Sequence, residues 1–269
     1  MRYRASVLTL LLLIPVLLNS NSVSQTPGES SEKPLYRTTR NEATLFGIIT
    51  VKGTRPKPRT IDMAADPVCG EINHKREPEW LLTNDDKLQN AFVYVTGDPV
   101  KALRFELPGS DVALQQVNCQ YSPRVLGLRV GQNLVIWNRD PTRHNVHPTP
   151  RINVEWNQTH APQSPPMVKT FPREEALMPI KCNHHPWEKA YVGVMNHPFF
   201  AISNDLGSYE IRGLPPGTYK LVAWHEAFDE QQMEITLVGG EHRRIDFTFD
   251  LDQGLKKTWP YSPLGSARQ

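Results

Sequence analysis

Residues 181–190 read KCNHHPWEKA, which places one thiol, two imidazoles and one carboxylate within seven positions: Cys182, His184, His185 and Glu188. A thiolate is a soft donor, an imidazole a borderline one and a carboxylate a hard one, so together they can form a transition-metal site. Two imidazoles and a thiolate in one plane, with a weaker axial donor, form the copper electron-transfer arrangement. The same donors in a tetrahedron hold zinc. Cys182 and His185 are three apart and Glu188 lies three further on, a spacing that a tight loop folds around one ion, with Pro186 stiffening the turn. Trp187 is an apolar lid that keeps water off. One more nitrogen must come from elsewhere, and WNRDPTRHNVHPTP (137–150) offers His144 and His147, with Asn145 placed to tie the two loops by hydrogen bonds. Scattered histidines are ordinary surface or core residues, but four of the nine here fall in these two short stretches.

The elements that must hold these loops read as strands throughout. Proline is high, at 24 residues, which favours loops, turns and sheet edges over long helices. ATLFGIITVKG (43–53), AFVYVTG (91–97) and RFELPG (104–109) read as early strands, with TRPKPRTIDMAADPVCG as loop. VALQQVNCQY (112–121) alternates, and VLGLRVGQNLVIWNRD (125–140) holds two short strands around Val130-Gly131-Gln132. MVKTF, LMPIKC and AYVGVM (190–195) follow, then FFAIS, two strands in SYEIRGLPPGTYKLVAWHE, and a hairpin-like pattern in MEITLV and RRIDFTF around Gly239-Gly240. The fold class is all-β, and short strands at close spacing indicate sandwiches.

The chain opens with Arg2, Arg4 and an apolar run to Leu18, the pattern of a signal peptide over 1–24, with a polar linker over 25–42 and a loose tail over 251–269. The expected location is secreted or periplasmic, with no membrane span in the mature chain. Formal charge is +2, or 0 without Arg2 and Arg4, which gives no electrostatic case for nucleic acid. There are three cysteines, Cys69, Cys119 and Cys182. An exported chain meets an oxidising compartment, where a pair bridges and the odd thiol needs another occupation. Cys182, among the histidines, is the odd one, so Cys69–Cys119 is the expected disulfide. Free thiols or another pairing remain open at this point, as does a two-thiol centre of Cys119 with Cys182.

The segments WNRDPTRHNVH and CNHHPWE resemble the ligand loops of cupredoxins, the amicyanin- and plastocyanin-like copper proteins, whose late loop reads Cys-x-x-His-Pro-aromatic-Met. The resemblance implies a Greek-key cupredoxin sandwich in which His144, Cys182 and His185 are the three equatorial ligands and His147 and His184 bind no metal. Two departures stand out: Trp137 is directly beside Asn138, where amicyanin-type proteins have Trp-x-Asn, and Glu188 occupies the position of the axial Met. A carboxylate is charged and favours Cu(II), which implies a lower reduction potential than a Met-ligated site. Met178 and Met195 are fallback axial donors but read as core residues.

NDLGSYEIRGLPPGTYKLVAWHE resembles the carboxypeptidase regulatory-like domain, a small transthyretin-like sandwich. The opening GIITVKG and AFVYVTG fit its early strands. The expected organisation is therefore a discontinuous regulatory-like sandwich, 43–101 plus 196–250, with the cupredoxin-like domain, 102–195, inserted. The functional expectation is an exported single-electron copper carrier with one mononuclear site, docking transiently on a redox partner protein through the rim of His185, Pro186 and Trp187. A storage or delivery role, or a non-catalytic module binding carbohydrate or protein, are the alternatives, and zinc is the alternative ion. No HExxH motif and no His-x-His pairs are present, so peptidase and multicopper oxidase chemistry have no residues to stand on and no enzyme is expected.

Overall fold

A computed structural model describes residues 33–55, 61–73 and 83–254. The expected signal segment and most of the expected tail lie outside these residues. Among the described residues the regular structure is almost wholly strand, in four sheets that pack as two face-to-face pairs.

The first pair uses strands from both ends of the chain. Ala43–Lys52 pairs antiparallel with Ser208–Leu214 on one side and parallel with His242–Arg244 and Phe247–Asp250 on the other, and the short Lys87–Leu88 and Thr83–Asn84 complete that sheet. Opposite it, Phe200–Ile202, Phe92–Thr96, Gly217–Trp224 and Gln231–Leu237 form a sheet in that order. Alternate residues point to opposite faces of a strand, so Leu45 and Ile49 meet Val93, Val95, Tyr219 and Leu221 in a closed core.

The second pair uses the middle of the chain. Gln158–His160, His144–Pro148, Glu175–Lys181, Lys189–Met195 and Val125–Arg129 form one sheet. Met167–Lys169, Leu134–Asn138, Val112–Val117 and Gln120–Ser122 form the other. Leu114, Leu128, Ile136, Val146, Ile180, Val192 and Val194 fill the space between them.

The two pairs meet at a small apolar junction. The apolar run FVYV is buried on both faces: Val93 and Val95 face their own sandwich, whereas Phe92 and Tyr94 face the other. Gly127 and Gly193 are register partners, and they leave a flat patch under the stacked rings of Phe92 and Phe200, 5.4 Å apart. A Cβ at Gly127 would sit 2.3 Å from the Phe200 ring, and one at Gly193 2.5 Å from the Phe92 ring. Beside this patch, the Arg124 guanidinium donates to both Glu226 oxygens, at 2.8 and 2.7 Å.

Several local expectations are corrected. RFELPG is not a strand: Arg104 makes an isolated bridge with Leu35, and Phe105 turns inward against Phe199, ring centroids 5.3 Å apart. The run 112–121 is broken by a turn at Asn118 and Cys119, both at positive φ. The segments MEITLV and RRIDFTF are not a hairpin: the first pairs with Gly217–Trp224, and the second crosses to run parallel to Ala43–Lys52. The stretch read as loop ends in the start of a helix, Pro67–Asn73.

Candidate metal centre

Two loops at one end of the second sandwich build the site. Lys181 pairs with both His147 and Lys189, so the strand that leads into Cys182 lies beside the strand that starts at His144. The loop 182–188 closes on itself: the Cys182 amide donates to the Glu188 carbonyl at 3.1 Å, and the Glu188 amide to the His185 carbonyl at 2.9 Å. This turns Cys182, His185 and Glu188 to the same side. Asn145 joins the loops: its amide donates to Cys182 Sγ at 3.4 Å, and its Oδ1 accepts from the Asn183 amide at 2.5 Å.

The structure brings His144, Cys182, His185 and Glu188 together, with one donor atom of each within 4.8 Å of all the others. The two Nδ1 atoms are 2.9 Å apart. Cys182 Sγ lies 3.6 Å from His185 Nδ1 and 4.0 Å from His144 Nδ1. Glu188 Oε2 is 2.8 Å from His144 Nδ1 and 3.5 Å from His185 Nδ1. All four side chains are buried, at most 2 % exposed.

The donor set can hold a metal ion. Neither Glu188 oxygen has a well-formed hydrogen bond, despite the short approach of Oε2 to His144, because the contact lacks hydrogen-bond geometry. A buried carboxylate needs a cation beside it, which a protonated imidazole supplies in the metal-free protein and a metal ion would supply when bound. Around a tetrahedral ion with bonds of ordinary length, nitrogens sit about 3.3 Å apart and nitrogen lies about 3.6 Å from sulfur; the Cys182–His185 edge matches this, the two nitrogens are closer, at 2.9 Å, and the Cys182–His144 edge is longer, at 4.0 Å.

The charges agree. Burial disfavours a charge on His144, but the attraction of Asp140, Cys182 and Glu188 outweighs it and holds the imidazole up at about 11. His185 is held up at about 10 in the same way, by Cys182, Glu188 and Asp66 against burial. Burial likewise opposes ionisation of Cys182 and Glu188, yet both are held below their ordinary ranges by the two imidazoles. Two anions thus share protons with two bases in a closed space, and an ion entering must displace those protons.

Outside this cluster, each of its two histidines is gripped by a carboxylate absent from the expected set. His144 Nε2 donates to Asp140 Oδ2 at 3.0 Å, and His185 Nε2 donates to Asp66 Oδ2 at 3.0 Å. Such carboxylate–histidine pairs fix the ring and its tautomer and raise the basicity of the inner nitrogen. Asp140 lies four residues before His144, inside the motif. Asp66 precedes the helix Pro67–Asn73, and the Val68 and Cys69 amides donate to its Oδ1.

The remaining candidates lie elsewhere. His147 faces Asn183 and Glu155, at 3.0 and 2.7 Å, and His184 is exposed. Met178 and Met195 are buried among apolar side chains. Cys69 and Cys119 form a disulfide, and Cys182 is the free cysteine. His185 is covered rather than open at the surface: Asp66 and Cys69 lie against its Nε2, and the half-buried Trp187 ring packs 5.2 Å from its own.

Residues 183–250 match the family model of the carboxypeptidase regulatory-like domain. No curated protein matches the chain. Among solved structures, the chain is similar in part to a copper-containing nitrite reductase from Thermus scotoductus SA-01, at 19 % identity and a TM-score of 0.30 over 38 % of this chain and 27 % of that one. It is also similar to a purple cupredoxin from Nitrosopumilus maritimus, at 21 % identity and a TM-score of 0.28 over 32 % of this chain and 100 % of that one. A third is the Cu(I) form of a point mutant of amicyanin, at 16 % identity and a TM-score of 0.29 over 38 % of this chain and 98 % of that one. The chain spans only 27 % of the nitrite reductase. These likenesses are partial, and none of them assigns the site.

Proposed function

We propose that the protein is an exported, non-catalytic copper protein that carries single electrons, with one ion held by His144, Cys182, His185 and Glu188. The observation that supports this most directly is the convergence of one sulfur, two Nδ1 nitrogens and one carboxylate oxygen in a sealed cluster. Bound copper would supply one-electron chemistry by alternating between its two common oxidation states. The chain's own part is to keep the donors in place and dry. The Asp140 and Asp66 carboxylates hold the two imidazoles, Asn145 locks the loops, and burial excludes water. Four protein donors leave no open position of the kind a catalytic metal keeps for substrate. Two surface cavities among the described residues, about 360 Å³ beside Phe46, Tyr209 and Arg244 and about 230 Å³ beside Tyr94, Glu175 and Trp224, contain none of the four.

Thiolate and imidazole suit copper and zinc alike, so the preference for copper rests on the pattern of the two ligand loops, WNRDPTRHNVH and CNHHPWE, and Glu188 keeps zinc as the competing ion. We read 43–101 plus 196–250 as one discontinuous module and 102–195 as the inserted cupredoxin-like domain. Export accords with the disulfide. A redox partner would dock briefly over Pro186 and Trp187, with His185 just beneath. The test is voltammetry of the copper-loaded protein. A reversible one-electron wave is expected, and tightly bound copper with no reversible wave favours storage over electron transfer.

A further inference from the structure

The Cys69–Cys119 disulfide lies directly behind the metal centre. Cys69 Sγ is 3.6 Å from His185 Nε2, and both half-cystines are fully buried. Each half-cystine also holds one of the two carboxylates. The Cys69 amide donates to Asp66 Oδ1 at 3.2 Å, and the Cys119 amide donates to Asp140 Oδ2 at 2.9 Å. Those carboxylates accept from His185 and His144, respectively. Both imidazoles are therefore tied, through one aspartate each, to the two ends of one covalent bridge.

The two ends come from distant parts of the chain. Cys69 and Asp66 lie in the segment that follows Ala43–Lys52 of the first sandwich, and Cys119 lies in the turn before Gln120–Ser122 of the second. Cys69 packs with Met63, Cys119, Ile61 and Trp187 in a separate cluster of few side chains. Thr142 Oγ1 donates to Asp66 at 2.9 Å and Asn73 Nδ2 to the Asn118 carbonyl at 2.5 Å, which adds two polar ties. A segment with so little buried apolar area depends on its covalent anchor to stay docked.

We propose that the Cys69–Cys119 disulfide is a positioning element of the metal centre, acting through Asp66 and Asp140, so that its redox state sets how tightly the ion is held. This rests on the metal-binding reading above. When a dithiol reductant opens the bridge, two electrons and two protons convert the S–S bond to two thiols, and the reductant leaves as its own disulfide. The segment carrying Asp66 then keeps only the polar ties of Thr142 and Asn73, and the Nε2 of His185 loses a firmly fixed acceptor. Losing such an acceptor typically weakens metal binding about 10- to 100-fold.

The test compares wild type, Asp66→Asn and the double variant C69A/C119A, each loaded with copper and, separately, with cobalt(II). Asn keeps an oxygen for the Val68 and Cys69 amides but presents no anion to His185, so the helix start is retained while the pairing is lost. The readouts are the rate of ion loss to a chelator, the reduction potential with copper, and the ring-nitrogen NMR shifts of His185 in the metal-free protein. Both variants should lose the ion about 10- to 100-fold faster than wild type, with a raised potential and a shifted His185 Nε2 signal. A D66N protein matching wild type in all three overturns the proposal. A double variant that folds, by its circular dichroism, and matches wild type overturns the role of the bridge. Wild type that takes up neither ion removes the metal-binding reading itself.

Discussion

His197 predicts how the fold responds to acid. It lies where the chain passes from Lys189–Met195 to Phe200–Ile202, between the two sandwiches, and is 4 % exposed. Its ring stacks on Phe199 at 5.8 Å and meets Phe105 edge-on at 6.4 Å, and its Nδ1 accepts from the Phe199 amide at 3.2 Å. Burial pushes its imidazole down to about 4, with Glu174 opposing the shift and Arg129 reinforcing it. In the unfolded chain the ring titrates near its ordinary value of about 6.5. Between those values the unfolded state binds a proton and the folded state does not, so stability falls as pH drops. The full shift is worth about 3 kcal/mol, of which about 2 kcal/mol is lost between pH 7 and pH 5. Urea unfolding of metal-free wild type and H197Q over that range isolates this contribution. The wild type should lose about 2 kcal/mol more than H197Q. Equal pH slopes for the two proteins would falsify the claim that this ring is held neutral by burial.

Other consequences follow from the same contacts. Cys69 and Cys119 are 50 residues apart, so C69A/C119A should lose about 4 kcal/mol of stability through the freer unfolded chain, a fall of roughly 8–16 °C in Tm; a loss below about 1 kcal/mol would contradict the docking of residues 61–73. Gly127→Ala or Gly193→Ala drives a methyl into the Phe200 or Phe92 ring and should cost about 1–3 kcal/mol by overpacking, with G127A partly rescued by Phe200→Leu. Glu188→Met exchanges a buried anion for a neutral thioether and should raise the copper reduction potential by on the order of 100 mV, where 59 mV is a tenfold change in relative affinity for the two oxidation states. An unchanged or lower potential in E188M would contradict direct involvement of Glu188.

The candidate donors were legible in the sequence because three of the four fall within one seven-residue loop and the fourth sits in a compact His-rich stretch. A tight loop fixes its own geometry, so spacing carries the information. The carboxylates that hold the imidazoles were less visible. Asp140 was within the quoted motif but reads as a turn residue, and Asp66 reaches His185 only through a crossing between sandwiches that no local pattern encodes. The Pro67–Asn73 helix is too short to show a period, though Asp66-Pro67 is a recognisable start signal. Strand content was readable from alternation, but strand partners were not. Nothing in RRIDFTF itself distinguishes a hairpin from a parallel pairing with Ala43–Lys52. RFELPG has strand-like composition, yet Phe105 is needed against Phe199 and His197, and that packing overrides the local preference.

The most direct measurement is the absorption and electron paramagnetic resonance of wild type and Cys182→Ser, each given one equivalent of copper(II) with the bound metal counted. Wild type should bind one copper per chain and show a sulfur-to-copper charge-transfer band that C182S lacks. A wild-type protein with no such band, or with copper bound identically in C182S, would contradict a thiolate-ligated copper centre.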